Sequence, residues 1–240
     1  MAQDRFIPAT SPRHDGSAHD NIDLGLQQFL LQVYGYMAAA LCLSGLTAYL
    51  AIETGFYQEI AGTGFIWLVI FAPLVALLFL TIRLEKMPLA AVMALFWTYA
   101  CLMGLSLAGI FLIYTNESIV LTFFVSAAIF GATSLYGYAT KADLSRFGSF
   151  LIMGLLATIV VSAANILLAS TVLQIAVSTV AAILFIGLTA YDTQRLKQIY
   201  YACFPSEPAA KMALMGALTL YLDFINLFAL ILQLGGDRRR

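Results

Sequence analysis

Seven long apolar runs leave this chain few ways to fold. They lie at about Phe29 to Ile52, Phe65 to Ile82, Leu89 to Tyr114, Ile119 to Tyr138, Phe150 to Leu168, Val172 to Asp192 and Met212 to Leu234. Each is near or above the roughly 20 residues that a helix rising ~1.5 Å per residue needs to cross a ~30 Å hydrocarbon layer. No alternating strand pattern competes with them. The connections are short, which makes consecutive helices antiparallel neighbours. With 62% hydrophobic and only 10% charged residues, the chain is far more apolar than the core of a soluble domain requires. The expected fold is an all-α polytopic membrane protein: seven transmembrane helices over residues 27–235, a flexible polar tail over 1–26 and a short basic tail over 236–240.

Several function classes drop out. A net charge of −1 and the lack of a glycine-rich phosphate loop argue against nucleic acid as a partner. Cys42, Cys101 and Cys203 have neither CxxC nor Cys/His spacing, so no zinc site and no disulfide framework follow. His14 and His19 sit in the polar tail, where nothing fixes the geometry of a metal site. No cofactor is expected, and the tail lacks the apolar core of a signal peptide.

Lysine and arginine orient the bundle. Arg5 and Arg13 precede the first span, Arg83 and Lys86 follow the second, Lys141 and Arg146 the fourth, and Arg195, Lys197 and Lys211 the sixth, whereas the loops after the first, third and fifth spans carry none. The positive-inside rule therefore places the amino terminus in the cytoplasm and, after seven crossings, the carboxy terminus in the periplasm. Arg238, Arg239 and Arg240 run against that rule. Either a short basic tail is tolerated outside, or the last segment dips in and returns; its hydrophobic length favours a full crossing.

Asp223 stands near the middle of the seventh run. Translocon scales put a central Asp at roughly +2.5 to +3.5 kcal/mol, so such an acid belongs in a protein interior or a water cavity and is a functional residue by default. Steps of three and four residues place Met212, Gly216, Thr219, Asp223, Asn226 and Leu230 on one helical face, with Thr219 and Asn226 as supporting polar groups. The second embedded acid is Asp192, expected at shallow depth, with about one further turn of helix after it. Counted from Met212, Asp223 lies ~16 Å in, so the two meet only if the seventh helix starts late or is displaced. If they meet, both cannot ionise cheaply, and the pair shares a proton, which makes it a pH sensor. Arg83 is the candidate cation: a latch on the pair that protonation weakens, or a snorkelling anchor. The remaining polar residues in the spans, Thr98, Ser106, Ser126, Thr133, Ser134, Ser162 and Asn165, read as interhelical hydrogen bonds of ~0.6 kcal/mol each. Gly104, Ala108 and Gly131 read as close helix contacts.

Three strings, GLTAYDTQRLK around Asp192, MGALTLYLDFINLF around Asp223 and ATKADLSRFGSFLIMGL between the fourth and fifth spans, resemble the Bax inhibitor-1 (transmembrane Bax inhibitor motif) family. The resemblance covers Phe29 to Leu234. It implies six helices around a central seventh, and a calcium leak controlled by a pH-sensing aspartate pair, carried here by Asp192 and Asp223 with Arg83 as the loosely matched basic partner. Some relatives carry an acid in the second span near the pore mouth; this chain has none there. Members of the family are linked with suppression of cell death and, in a bacterial case, with restraint of a membrane-bound protease.

The leading expectation is thus a pH-sensitive calcium leak channel in a bacterial inner membrane, not an enzyme, with Asp192 and Asp223 attracting the hard, oxygen-preferring cation. One alternative is a non-transporting regulator that binds a membrane protease or other partner through its tail. A more remote one is an intramembrane aspartyl protease. That chemistry needs a glycine-flanked second acid, and Leu220, Tyr221 and Leu222 precede Asp223 instead.

Overall fold

Helices form wherever the apolar pattern puts them, and two short ones appear in the connections. The computed structural model describes residues 15–83, 86–203 and 209–239. In order these form α1 (Asp15–Glu53), α2 (Phe56–Ala61), α3 (Phe65–Arg83), α4 (Leu89–Leu107), α5 (Ile110–Ile113), α6 (Asn116–Ala139), α7 (Ser145–Leu168), α8 (Thr171–Cys203) and α9 (Ala209–Gly235). Seven membrane-length stretches result, with α4 and α5 together making the third. The chain is a helical, multi-pass membrane protein.

Local chemistry sets the ends. Thr115 caps α6 by accepting the Ser118 N–H, and Pro88 supplies an extended residue before α4. Gly55 takes the left-handed conformation (φ 75°) between α1 and α2, as a residue without Cβ does readily. Ala169 takes the same region (φ 49°) between α7 and α8, where Asn165 secures the turn: its carbonyl accepts the Ala169 N–H and its Oδ1 the Ser170 N–H. Asn165 is therefore a local cap and not an interhelical bond.

Two expected boundaries move. Within the tail assigned to 1–26, the helix already runs from Asp15; residues 1–14 lie outside the described residues. The reason is packing. Leu26 and Phe29 are buried, and the Phe29 ring lies 5.3 Å from that of Tyr200 on an α8 that continues well past Asp192. Each extension buries the other.

Burial is unequal among the spans. In α9, 61% of the membrane window is buried, against 6% in α7 and 11% in α3. The principal partners of α9 are α1, α4, α6 and α8, while α3 packs chiefly on α4 and α7 on α8. Glycines mark the closest crossings. A Cβ at Gly137 would overlap the Ala190 carbonyl oxygen, and one at Gly104 the Ser44 carbonyl, so α6 meets α8 and α4 meets α1 backbone to backbone. Gly131 differs from its expected role: a Cβ there meets nothing within 4 Å.

The basic carboxy-terminal residues fold onto the start of α6. The Thr115 N–H donates to the Asp237 carbonyl (3.0 Å), Arg239 N–H to the Ile113 carbonyl (2.9 Å), and Arg239 Nη2 to Asn116 Oδ1 (2.7 Å). Arg238 stands 6.0 Å from the Tyr114 ring centre. The tail thus lies at the end of the bundle formed by the loop without lysine or arginine, as a full crossing requires. Arg240 lies outside the described residues.

Candidate functional site

The depth mismatch expected between the two acids is removed by the length of α8. Asp192 lies eleven residues, about 16 Å, from the end of α8 at Cys203, and Asp223 fourteen residues, about 21 Å, from the start of α9 at Ala209. Because α8 and α9 are antiparallel and closely packed, the two residues come to matching heights. Gly216 allows this approach, since a side chain there would press on Leu196 of α8 and Val33 of α1.

The carboxyls of Asp192 and Asp223 meet within side-chain hydrogen-bonding range of each other. Both are buried, at 9% and 6% exposure. Asp223 Oδ2 is wholly enclosed and makes no hydrogen bond with another group of the protein. Two carboxylates have only acceptors, so a bond between them requires a proton on one. Around them are the fully buried Thr189 and Thr193, whose hydroxyls donate to the Phe185 and Thr189 carbonyls, at 2.9 and 2.8 Å.

Arg195 follows Asp192 by one turn of α8 and is exposed. Arg83 is exposed at the end of α3, a helix that packs chiefly on α4 and α2. The structure does not bring Arg83 to the aspartates, because α3 sits on the periphery. Nor do Thr219 and Asn226 bond to them: Thr219 Oγ1 donates to the Met215 carbonyl (3.1 Å) and Asn226 Nδ2 to the Leu222 carbonyl (2.8 Å), each within α9.

Of the members of two networks beside the pair, the sequence reading marks only Ser134. Tyr34 on α1 bonds Ser134 on α6, and Ser134 in turn bonds Thr193 (3.0 Å), the residue after Asp192. On the other side of α9, Tyr221 bonds Ser44 (2.7 Å), which donates to the Ala40 and Ala100 carbonyls, joining α1, α4 and α9. The only sequence signal for either was a hydroxyl in an apolar run. Of the polar residues expected to bond between helices, Ser134 does so, Thr98 and Thr133 bond their own helices, and Ser126 is buried without a partner.

At the other end of α9, toward the carboxy-terminal tail, lies a cavity of about 660 Å³ lined by Ser162, Asn165, Gln174, Ser178 and Gln233 among others. Ser178 bonds Gln233 across it (3.0 Å), and Leu230 lines its wall. Gln233, Leu230, Asn226 and Asp223 follow at intervals of three or four residues, so the cavity lies on the α9 face that also carries Asp223. Among the described residues no group of three or more His, Cys, Asp or Glu could hold a metal ion. Asp143, outside the spans, makes a contrast. It accepts the Ser145 N–H (2.9 Å), which with Arg146 nearby holds its carboxyl below the usual range.

Similar proteins give the site its context. A family model described as "Inhibitor of apoptosis-promoting Bax1" matches residues 26–240. The chain is 41% identical to the inner membrane protein YbhL of Escherichia coli K12 over 240 residues, covering 98% of this chain and all of that one. It is 43% identical to the uncharacterized protein RP147 of Rickettsia prowazekii, over 93% of this chain and 95% of the other. An uncharacterized protein of Caulobacter vibrioides matches at 40% over 98% of this chain and 96% of its own length. The match extends through both aspartate-bearing helices and nearly end to end in each relative: the chain belongs to the Bax inhibitor-1 family.

Proposed function

We propose that this protein is a pH-sensitive calcium leak of a bacterial inner membrane, sealed by the Asp192–Asp223 pair. The observation that carries the reading is the meeting of two buried carboxyls on adjacent helices, one with an enclosed oxygen that no other group satisfies. Such a pair holds one proton between its members as long as the bundle is closed. Loss of that proton leaves two like charges in a low-dielectric site. They repel, loosen the α8–α9 contact and offer oxygen ligands to a hard cation. The polar cavity at the far end of α9 supplies the second mouth, with Leu230 as the apolar constriction between mouth and pair. Amino terminus and paired-acid end face the cytoplasm, by the distribution of lysine and arginine.

The sign of the pH response follows. With Arg83 remote, protonation acts through the charge of the pair alone, so calcium flux rises as pH rises through the titration of the pair. The test is calcium uptake into proteoliposomes across a pH series. The wild type should show a steep rise, and Asp223→Asn should flatten the curve. A pH profile that is the same in the two proteins would defeat the proposal.

A further inference from the structure

A long groove separates α1 from α6. Both pack on α9, and the gap between them, of about 720 Å³, reaches Phe224, the residue after Asp223. It runs along α6 from Tyr138 to Phe123, fifteen residues or about 22 Å, roughly the reach of an extended acyl chain. A smaller cavity of about 280 Å³ shares Leu41, Phe123 and Phe224 with it and continues the gap along the bundle.

The two ends of the groove differ chemically. Most of its lining is apolar, with Leu31, Leu135 and Phe123 on the walls. Gly131 opens it: no atom lies within 4 Å of a Cβ built there, so this glycine makes room for something other than a neighbouring helix. At the Tyr138 end, Lys197 stands 5.1 Å from the ring centre and donates to the Tyr138 carbonyl (3.4 Å). An ammonium has three donors, so donors remain for an anion. Lys141 is exposed just past the end of α6. Across the middle of the groove, the Tyr34–Ser134 hydrogen bond ties the two walls to each other and, through Thr193, to the helix that carries Asp192.

The groove opens on the outer face of the bundle, where a chain lying along it gains dispersion contacts with three helices. We propose that the α1–α6 groove is a binding site for one anionic phospholipid, an acyl chain lying over Gly131 toward Phe224 and the phosphate meeting Lys197. The charge at one end and the apolar length beyond it fit an amphiphile of that order. Contact on three sides distinguishes it from a lipid that merely coats the bundle. Occupancy braces the Tyr34–Ser134–Thr193 chain and so bears on the helix that holds Asp192.

The experiment is native mass spectrometry of the full-length protein equilibrated with dioleoylphosphatidylglycerol or dioleoylphosphatidylcholine, whose chains are identical. Wild type should retain one phosphatidylglycerol, in preference to phosphatidylcholine by about fivefold. Lys197→Gln should remove that preference while leaving the groove intact. Gly131→Trp should lose the retained lipid of either kind at an unchanged unfolding temperature. If the tryptophan variant fails to fold, Ala127→Leu fills the same groove more gently and should reduce retention. Equal retention of the two lipids by wild type, or undiminished retention by a variant that folds with its groove filled, overturns the proposal.

Discussion

α7 and α9 are both apolar enough to cross a membrane, and they are used in opposite ways. α7 is the more apolar and keeps 6% of its membrane window buried; α9 carries Asp223, Thr219 and Asn226 and keeps 61% buried. α3, the most apolar span of all, is likewise peripheral at 11%. In water the most apolar helix would go inside. In lipid the surroundings are as apolar as the core, so the helices that go inside are those with groups lipid cannot satisfy, and with small residues that allow close approach. The aspartate pair is thus tied to the architecture: the helix that carries Asp223 is the most buried of the spans, packed by α1, α4, α6 and α8.

The largest expected effect comes from moving an acid across that divide. Leu156 lies at the middle of α7 and is 58% exposed. Leu156→Asp should shift membrane insertion of α7 by roughly 3 kcal/mol, more than a hundredfold, in a glycosylation-based insertion assay. An α7 that inserts as well as wild type would mean that its outer face does not meet lipid. A smaller effect separates two faces of α6. Gly137→Ala puts a methyl into the Ala190 carbonyl and should cost about 2 kcal/mol in thermal unfolding, whereas Gly131→Ala, in open space, should be neutral or gain up to about 1 kcal/mol from helix propensity. Equal behaviour of the two variants would erase the distinction between the α8 seam and the groove. The smallest effect is at the end of α7. Ala169→Gly relieves a left-handed alanine and should stabilise the protein by about 0.5 kcal/mol, measurable as a slightly higher unfolding temperature.

The spans themselves were legible because hydrophobic length is a local property. Five of the seven runs coincide with described helices to within about five residues at both ends, and the family strings contain both acids. The remainder depends on tertiary partners. α1 begins early and α8 ends late because Leu26, Phe29 and Tyr200 cover one another, which no single run reveals. The same extension carries the turn between α8 and α9 well past Asp192, which lets Asp223 come level with it. Arg83 is expected beside the pair from its place at the end of the second span and from the loose family match, and it stands exposed at the end of the peripheral α3. Asn165 and Gly131 were assigned by residue type, but their roles follow from geometry: one closes a turn, the other opens a groove. The burial of Leu26 also bears on the tail-mediated regulator. Removing residues 1–26 would cut into the packed helix, so the informative deletion is 1–14, which should leave calcium leak unchanged and abolish only an interaction made by the tail.

The account turns on one shared proton, and infrared difference spectroscopy of carboxylic-acid carbonyls in reconstituted protein reads that proton most directly. Wild type at neutral pH should show the band of a single protonated, water-excluded carboxyl that disappears at alkaline pH, and both Asp192→Asn and Asp223→Asn should change or remove it. A wild-type spectrum with no protonated carboxyl at neutral pH, or a band that neither substitution alters, would contradict a proton held between these two residues.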